Sequence, residues 1–329
     1  MASSFQRLAC TLAAGSVLLA FGSTASAQAP AYPNKTIRLV IPSTPGGGTD
    51  FISRLLGTKL GDSAGWTVVP DNRPGAAGTL GLAETARAKA DGYELVVGQT
   101  ANVSLAPWLM KLSFDPVKDL TPIALAVEAP MVLAVAENSP YKTWADFVKA
   151  AKADPAKPMN FATSGTGSVA QVAGVMVQDA SGFKMQHVPY KGSSPALADL
   201  MGGHVDLAGT SVASALPMLL GGKVRALAVT SEKRSAALPN VPALSELGYP
   251  KFHMVEWYGV FAPAGTPPAI ADQLNTEINK VLQRTEVKSA IQAQGQEPRP
   301  EPRAAFAAMV KADNHNSQTI ITKAGIKLE

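Results

Sequence analysis

Hydrophobic runs of two kinds alternate along the chain. In one kind, apolar side chains recur every three to four residues, as over 52–60, 169–176 and 270–282, which predicts helices with one buried face. In the other kind, short runs of valine, isoleucine and leucine predict buried strands. Such strands are predicted over 36–41, 67–69, 93–97, 123–135, 159–162, 186–188, 205–208, 224–229 and 255–261.

Two helix starts are predicted from local signals. Thr266 precedes Pro267 and Ser194 precedes Pro195, which is the order of an N-cap followed by proline at the first helical position. Because strands and helices alternate, the expected architecture is α/β, with largely parallel sheets covered by helices. A chain of 329 residues is long enough for two such domains.

The segment 1–27 has the layout of a secretory signal peptide. Arg7 precedes an apolar stretch over 8–21, and small residues at Ala25 and Ala27 form an A-x-A cleavage site. A membrane anchor is the alternative, but a span usually needs roughly 20 apolar residues. We therefore expect cleavage near Ala27 and a mature protein outside the cytoplasm.

Charge and cysteine content exclude several partners and structural features. Lysine and arginine number 29 against 25 aspartate and glutamate, a formal net charge of +4, and no run of basic residues occurs. We therefore expect no nucleic-acid partner. The one cysteine, Cys10, lies inside the predicted signal peptide, which excludes an intramolecular disulfide and a thiolate zinc cluster.

Two glycine-rich turns, over 42–50 and 163–168, each follow a predicted strand and open a predicted helix. Glycines let a ligand approach the backbone closely, and the free N–H groups at a helix start favour an anion. Both turns also carry hydroxyl side chains. Two turns of this kind, each at the carboxyl end of a strand, predict an anion-binding cleft.

Nucleotide, metal and enzyme signatures are weak. No lysine follows the first turn, which excludes a phosphate-binding P-loop. The second turn formally fits G-x-G-x-x-A over 165–170, but no acidic residue closes the next strand near Tyr190, so we expect no dinucleotide. The four histidines are scattered and form no H-E-x-x-H motif. We therefore expect no cofactor, no metal and no catalytic residue.

Three acidic residues carry alternative interpretations. Asp50 is interpreted as a helix N-cap rather than a base. Glu256 is interpreted as a structural or pocket-edge residue, because no second carboxylate or nucleophile is placed with it. Asp206 is either an inter-domain structural partner or a residue that lines the pocket, and both interpretations stay open.

Motifs of one known family occur in order along the chain. They lie at 42–50, at 72–78 with the letters N-R-P-G-A-A-G, and at 188–192, 202–206 and 260–267. Together they cover essentially the whole chain after the predicted signal peptide. The chain thus resembles the Bug family, the periplasmic solute-binding proteins of tripartite tricarboxylate transporters.

The resemblance implies an α/β fold of two domains that close on a ligand, a type II periplasmic binding protein or Venus flytrap. It has mixed, mostly parallel sheets with helices on both faces, and two crossover strands. The first domain is expected to hold 28–127 and 255–329, and the second 128–254. Crossovers are expected near 123–135 and 253–262.

The resemblance also implies a function. A small organic carboxylate is held in the inter-domain cleft by backbone N–H groups, hydroxyls and water, and is delivered to membrane transporter subunits in the periplasm. The protein is expected to be a monomer and not an enzyme. The implied ligand-binding residues are Ser43, Thr44, Gly46, Gly47, Thr49, Asp50, Thr100, Asn102, Thr163, Ser164, Gly165, Ser168, Thr210 and Ser211.

Departures from the family leave the ligand open. Ser43 stands where an aromatic residue is usual, Ala77 replaces a usual glycine, and 207–211 carries hydroxyls where the family has aromatic and acidic residues. Lys191 lies in a matched motif and is either a ligand contact or part of a solvated turn. A secreted hydrolase or isomerase using Asp50 or Glu256 is one alternative function, and a ligand sensor with a membrane partner is another.

Overall fold

The computed structural model describes residues 32–250 and 252–327. The predicted signal peptide and its cleavage site near Ala27 lie outside the described residues. Residues 35–329 group into one unit, which is described below. None of the helices in the described ranges combines the length and the apolar character that crossing a bilayer requires.

Each strand predicted from the sequence is present in the structure. One further strand, β10, has two residues and no hydrophobic pattern long enough to predict it. The strands are β1 Ile37–Ile41, β2 Val68–Asn72, β3 Glu94–Gln99, β4 Leu120–Ala136, β5 Met159–Thr163, β6 Met185–Pro189, β7 Leu207–Ser211, β8 Val224–Val229, β9 Val255–Pro263 and β10 Glu297–Pro298.

The three periodic stretches lie in α1, α5 and α8, as predicted. The helices are α1 Gly48–Ala64, α2 Thr79–Ala86, α3 Ala106–Leu109, α4 Trp144–Ala153, α5 Val169–Ser181, α6 Ser193–Met201, α7 Val212–Leu220, α8 Pro268–Gln283, α9 Thr285–Ala293 and α10 Arg303–Ala324. A π-helical turn, Ala101–Leu105, follows β3.

Both predicted N-caps are wrong by a residue or two. The N-cap of α8 is Pro267 and Pro268 is its first residue, because the Thr266 hydroxyl and N–H both bond to the Pro263 carbonyl in the preceding turn. Helix α6 begins at Ser193 with Gly192 as its N-cap, so Ser194 is already helical. Proline near a helix start therefore located these helices without fixing their first residue.

The strands form one mixed sheet in the order β2-β1-β3-β9-β4-β7-β5-β6, and β8 and β10 also pair with β4. The pairs of β1 with β2 and β3, and of β5 with β6 and β7, are parallel. All antiparallel pairs involve β4 or β9. Strand β4 joins the two parallel parts, since its first part pairs with β9 and its last part with β7 and β8.

Separate hydrophobic clusters lie around the two parallel parts. Phe261 and Phe306 are buried in a cluster with β1, β3 and β9. Phe147 and Phe161 are buried in another with β5 and β7. Helix α10 contributes to both, through Phe306 in the first and Ile321 in the second. The domain boundaries implied by the resemblance stay a prediction.

Candidate functional site

The implied site residues lie in two groups at the carboxyl ends of parallel strands. The first group follows β1 and β3, which pair in parallel. The second follows β5 and β7, which also pair in parallel. The carboxyl ends of parallel strands are the usual place for ligands in α/β proteins. The groups are Ser43, Thr44, Gly46, Gly47, Thr49, Asp50, Thr100 and Asn102, and Thr163, Ser164, Gly165, Ser168, Thr210 and Ser211.

The first glycine-rich turn is held by the Asp50 carboxylate. Asp50 Oδ2 accepts the Gly46 N–H at 3.0 Å, and Oδ1 accepts the Asn72 amide at 3.0 Å. The Arg54 guanidinium donates to both oxygens, at 2.9 and 3.0 Å. The Asn72 amide also reaches the Ser43 carbonyl at 3.0 Å. These contacts fix the turn against β2 and the first part of α1.

The interpretation of Asp50 as an N-cap is wrong, because Gly47 is the N-cap and Asp50 is the third helical residue. From that position its carboxylate reaches back to the turn. The Arg54 hydrogen bond, followed by those from Gly46 and Asn72, lowers the pKa of Asp50 to about 2 despite its burial. Asp50 therefore supports the turn as a carboxylate, and its pKa is far from that of a base working near neutral pH.

Polar side chains beneath the first turn are nearly all buried. The Thr49 hydroxyl donates to Gln99 Oε1 at 2.7 Å. Thr100 Oγ1 accepts the Trp257 N–H at 2.8 Å, and Asn102 Oδ1 accepts the Gln99 N–H at 2.9 Å. Thr49, Thr100 and Asn102 thus fasten the strand ends, whereas Thr44, Gly46 and Gly47 are exposed.

The second glycine-rich turn is held by a chain of neutral groups. The Gly167 N–H donates to Gln171 Oε1 at 2.7 Å, which turns the Gln171 NH₂ toward His187 Nδ1 at 3.1 Å. His187 Nδ1 is then an acceptor, so the ring proton sits on Nε2 and is donated to the Thr163 hydroxyl at 2.7 Å. That hydroxyl donates to the Gly165 carbonyl at 3.2 Å.

Burial lowers the pKa of His187, which favours the neutral ring that this chain requires. Neither His187, one of four scattered histidines, nor Gln171 belongs to a motif that marks a site in the sequence. Gln171 lies four residues after Gly167, at the start of α5. That spacing is the one feature of the sequence that could have predicted their hydrogen bond. Gly165 has φ of +143°, a conformation that side chains rarely adopt, so glycine is required there.

Two serines of the second group are helix N-caps. Ser168 Oγ accepts the Gln171 N–H at the start of α5, and Ser211 Oγ accepts the Ser214 N–H at the start of α7. The Ser164 carbonyl accepts the Gly192 N–H at 3.1 Å. These residues set the direction of the helix N-termini, whose remaining N–H groups favour an anion.

Four buried polar atoms near the strand ends have no hydrogen-bond partner within the described residues. They belong to two members of the first group, one member of the second group, and a glutamine before β10. A buried polar atom of this kind calls for an explanation such as water or a ligand. The atoms are Ser43 Oγ, Asn102 Nδ2, Thr210 Oγ1 and Gln296 Oε1.

The segment Gly295–Gln296 connects the two groups. A Cβ added at Gly48, the first residue of α1, would lie 2.9 Å from Gln296 Nε2 and 3.0 Å from the Tyr258 hydroxyl. A Cβ at Gly295 would lie 3.0 Å from the backbone nitrogen of Ala213, the second residue of α7. The N-termini of α1 and α7 therefore flank this segment, and sequence reasoning missed both Gln296 and Tyr258.

A pair of acidic groups lies beside that segment. The Tyr258 hydroxyl donates to the Glu256 carboxyl, and Tyr258 is buried whereas Glu256 is partly buried. Burial raises the pKa of Glu256, and burial together with the neighbouring Glu256 raises that of Tyr258. Glu256 keeps some accessible surface, whereas Val255 and Trp257 on either side are buried.

Asp206 and Lys191 lie away from these contacts. Asp206 Oδ2 accepts the Asn160 N–H at 2.7 Å, at the amino ends of β5 and β7 and opposite the strand ends that carry the second group. It therefore joins neighbouring strands, which neither open interpretation anticipated. Lys191 is exposed in the turn after β6.

Other candidate features do not coincide with the two groups. A surface cavity of about 460 Å³ is lined by Trp108, Phe114 and Lys118 among others, and by none of the implied site residues. The segment 61–65 fits G-x-S-x-G, but Ser63 is exposed in the last turn of α1 and bonds to the Lys59 carbonyl. No group of three potential metal-ligating side chains occurs in the described ranges.

The architecture is that of the periplasmic solute-binding proteins. A TctC solute-binding protein from Polaromonas aligns with a TM-score of 0.80 at 28% identity, covering 89% of this chain and 99% of that one. A protein from R. palustris solved with adipate gives 0.76 at 30%, covering 90% and 100%. MatC from Rhodopseudomonas palustris, solved with bound malate, gives 0.71 at 31%, covering 88% and 100%.

The chain belongs to the tripartite tricarboxylate transporter family of receptors, whose family model matches residues 52–326. Protein BugT of Bordetella pertussis is 37% identical over 283 residues, which cover 84% of this chain and 85% of BugT. The resemblance to the Bug family and the expected class of fold are therefore confirmed.

Proposed function

We propose that the protein binds a small organic carboxylate between the two groups of strand ends and delivers it to a membrane transporter. The observation that carries this is a set of buried polar atoms that find no hydrogen-bond partner in the described part of the chain, Ser43 Oγ, Asn102 Nδ2, Thr210 Oγ1 and Gln296 Oε1. These four lie at strand ends beside helix N-termini, whereas five further atoms of this kind, on Thr85, Glu94, Ser104, Asn279 and Glu301, lie elsewhere. Such a setting is suited to a ligand with oxygen atoms and negative charge.

The mode of binding follows from the composition of the turns. Neither glycine-rich turn contains lysine or arginine, so the negative charge is met by backbone N–H groups, hydroxyls and bridging water. Exposed Gly46 and Gly47 offer backbone in the first turn. The structural relatives solved with adipate and malate hold ligands of this chemical class, which supports the proposal.

Ligand binding by both groups would also account for domain closure. With 28–127 and 255–329 as one domain and 128–254 as the other, a ligand that contacts both groups favours the closed state. We place the mature protein in the periplasm as a monomer, with cleavage near Ala27. Its similarity to periplasmic receptors of a transporter family supports that location and that partner.

Thermal-shift screening of the purified mature chain tests the proposal. A ligand that binds only the folded state raises its melting temperature, so one or more small carboxylates should do so while matched amides and alcohols should not. Calorimetry then gives the affinity, and analysis of the recovered ligand detects turnover. Failure of every carboxylate to bind would contradict the proposal, and chemical conversion of the ligand would favour the hydrolase or isomerase alternative.

A further inference from the structure

Glu256 occupies an unusual position for an acidic residue, in the middle of the sheet. Strand β9 lies between β3 and β4, where Glu256 pairs with Ala129 and Tyr258 pairs with Gln99. Trp257 points to the opposite face and packs on Phe306, with ring centroids 5.8 Å apart. Glu256 and Tyr258 therefore face the side of the sheet that carries the N-terminus of α1.

That side of the sheet also carries polar groups of the candidate site. The Tyr258 hydroxyl and Gln296 Nε2 lie beside Gly48. Gln296 itself is 3% exposed, and its Oε1 atom has no hydrogen-bond partner over 32–250 and 252–327. Gln99, which pairs with Tyr258 across the sheet, accepts a hydrogen bond from Thr49. Glu256 thus belongs to the same polar surface as the first glycine-rich turn.

The Glu256 carboxyl has little compensation for its burial. Among the described contacts, the Tyr258 hydrogen bond is the only one that opposes the increase in its pKa, and no cation pairs with it. Asp50, by contrast, forms an ion pair with Arg54, and Glu128 lies within 4 Å of both His253 and Arg299. A carboxylate has about four acceptor positions, so Glu256, which is partly accessible, keeps acceptor capacity beyond the Tyr258 hydrogen bond.

We propose that Glu256 determines ligand specificity by accepting a hydrogen bond from a hydroxyl or ammonium group that the ligand carries next to its carboxylate. The inference rests on the proposed function. A second bare carboxylate next to Glu256 would be repelled, whereas a donor supplies the compensation that the buried oxygen lacks. The preferred ligands are therefore hydroxy acids or amino acids over the unsubstituted acids of the same skeleton.

Matched acids that differ in one substituent test this inference. Calorimetry compares succinate, malate and aspartate, and in parallel 3-phenylpropionate, phenyllactate and phenylalanine, on the mature protein. Within whichever of the two series binds, we expect the hydroxy or amino acid to bind about tenfold or more tightly than the unsubstituted acid. Glu256→Gln, which keeps the shape and removes the charge, should reduce this preference to less than about threefold.

Glu128→Gln is the matched control. Glu128 is a second carboxylate within the sheet, is buried where Glu256 is partly buried, pairs with Trp257 on the opposite face, and should leave the preference unchanged. Melting temperatures confirm that both variants are folded. Equal affinity for the substituted and unsubstituted acids, or an unchanged preference in Glu256→Gln, would overturn the inference while carboxylate binding stands. Absence of binding by every acid would overturn the proposed function as well.

Discussion

The two glycine-rich turns occupy equivalent places after parallel strands but are supported by different chemistry. Asp50 holds the first turn through charge-assisted hydrogen bonds to Gly46 and Arg54. Gln171 and His187 hold the second through neutral ones. Because charge-assisted hydrogen bonds are roughly twice as strong as neutral ones, the first turn should be the more rigid of the two. The same local motif can therefore be stabilised by supports that share no sequence signal.

The largest effect is expected from Asp50→Ala, which removes the carboxylate that supports the first turn. Gly46, Arg54 and Asn72 lose their acceptor. Hydrogen bonds to a charged group contribute about 1.5–3 kcal/mol, but Arg54 is half exposed, so we expect the free energy of unfolding to fall by about 2 kcal/mol. Carboxylate affinity should fall about tenfold or more. Urea unfolding and calorimetry measure the two quantities.

Asp62→Ala is the control for that substitution. Asp62 lies on the same helix, is exposed, and pairs with Lys59 at 2.9 Å. Its loss should leave stability and binding unchanged, because an exposed ion pair contributes little. Equal losses of affinity in both variants would mean that overall charge, rather than the support of the first turn, controls binding.

A smaller effect is expected in the second turn from His187→Phe, which keeps the ring and removes both nitrogens. The Gln171 amide and the Thr163 hydroxyl each lose one hydrogen-bond partner. The free energy of unfolding should therefore fall by about 1–2 kcal/mol. Affinity should fall less than in Asp50→Ala. The exposed His315→Phe is the control in the same assays. A larger loss of stability than in Asp50→Ala would reverse the ranking of the two turns.

Ala77→Gly should stabilise the segment that supports the first turn. Ala77 has φ of +54°, a left-handed conformation that disfavours side chains, and the neighbouring Gly78 packs against the Pro42 carbonyl. Relief of that strain should exceed the added flexibility of the unfolded chain, for a net gain of about 0.5–1 kcal/mol. Thermal unfolding measures it, and an unchanged or lower melting temperature would contradict the explanation.

The smallest effect is a pH dependence that separates the two turns. Burial lowers the pKa of His187, so as pH falls below about 6.5 the unfolded chain takes up a proton before the folded one does. Stability from this group is therefore present above that pH and is lost as pH falls. Asp50, with a pKa of about 2, begins to lose its contribution only below its ordinary value of 3.8. The free energy of unfolding, measured with urea, should fall less between pH 7.5 and 5.5 in His187→Phe than in the unsubstituted protein.

The sequence was informative about strands and turns but not about what supports them. Every strand from β1 to β9 was predicted from hydrophobic runs, and both glycine-rich turns follow directly from their neighbours. The contacts of His187 with Thr163 and of Gln296 with Gly48 join residues far apart along the chain, and such contacts leave no periodic pattern. Asp50 and Arg54, like Gly167 and Gln171, are four residues apart, so these two local pairs were open to prediction.

The most direct test of the central claim is a crystal structure of the mature protein with the tightest-binding acid of the matched panel. We expect the ligand's carboxylate to contact backbone N–H groups of the first turn and hydroxyls or N–H groups of the second group, with Gln296 beside it. Its hydroxyl or ammonium group should lie within hydrogen-bond distance of Glu256. A ligand bound in the cavity beside Trp108, or held by a direct ion pair with Lys191, would contradict the account.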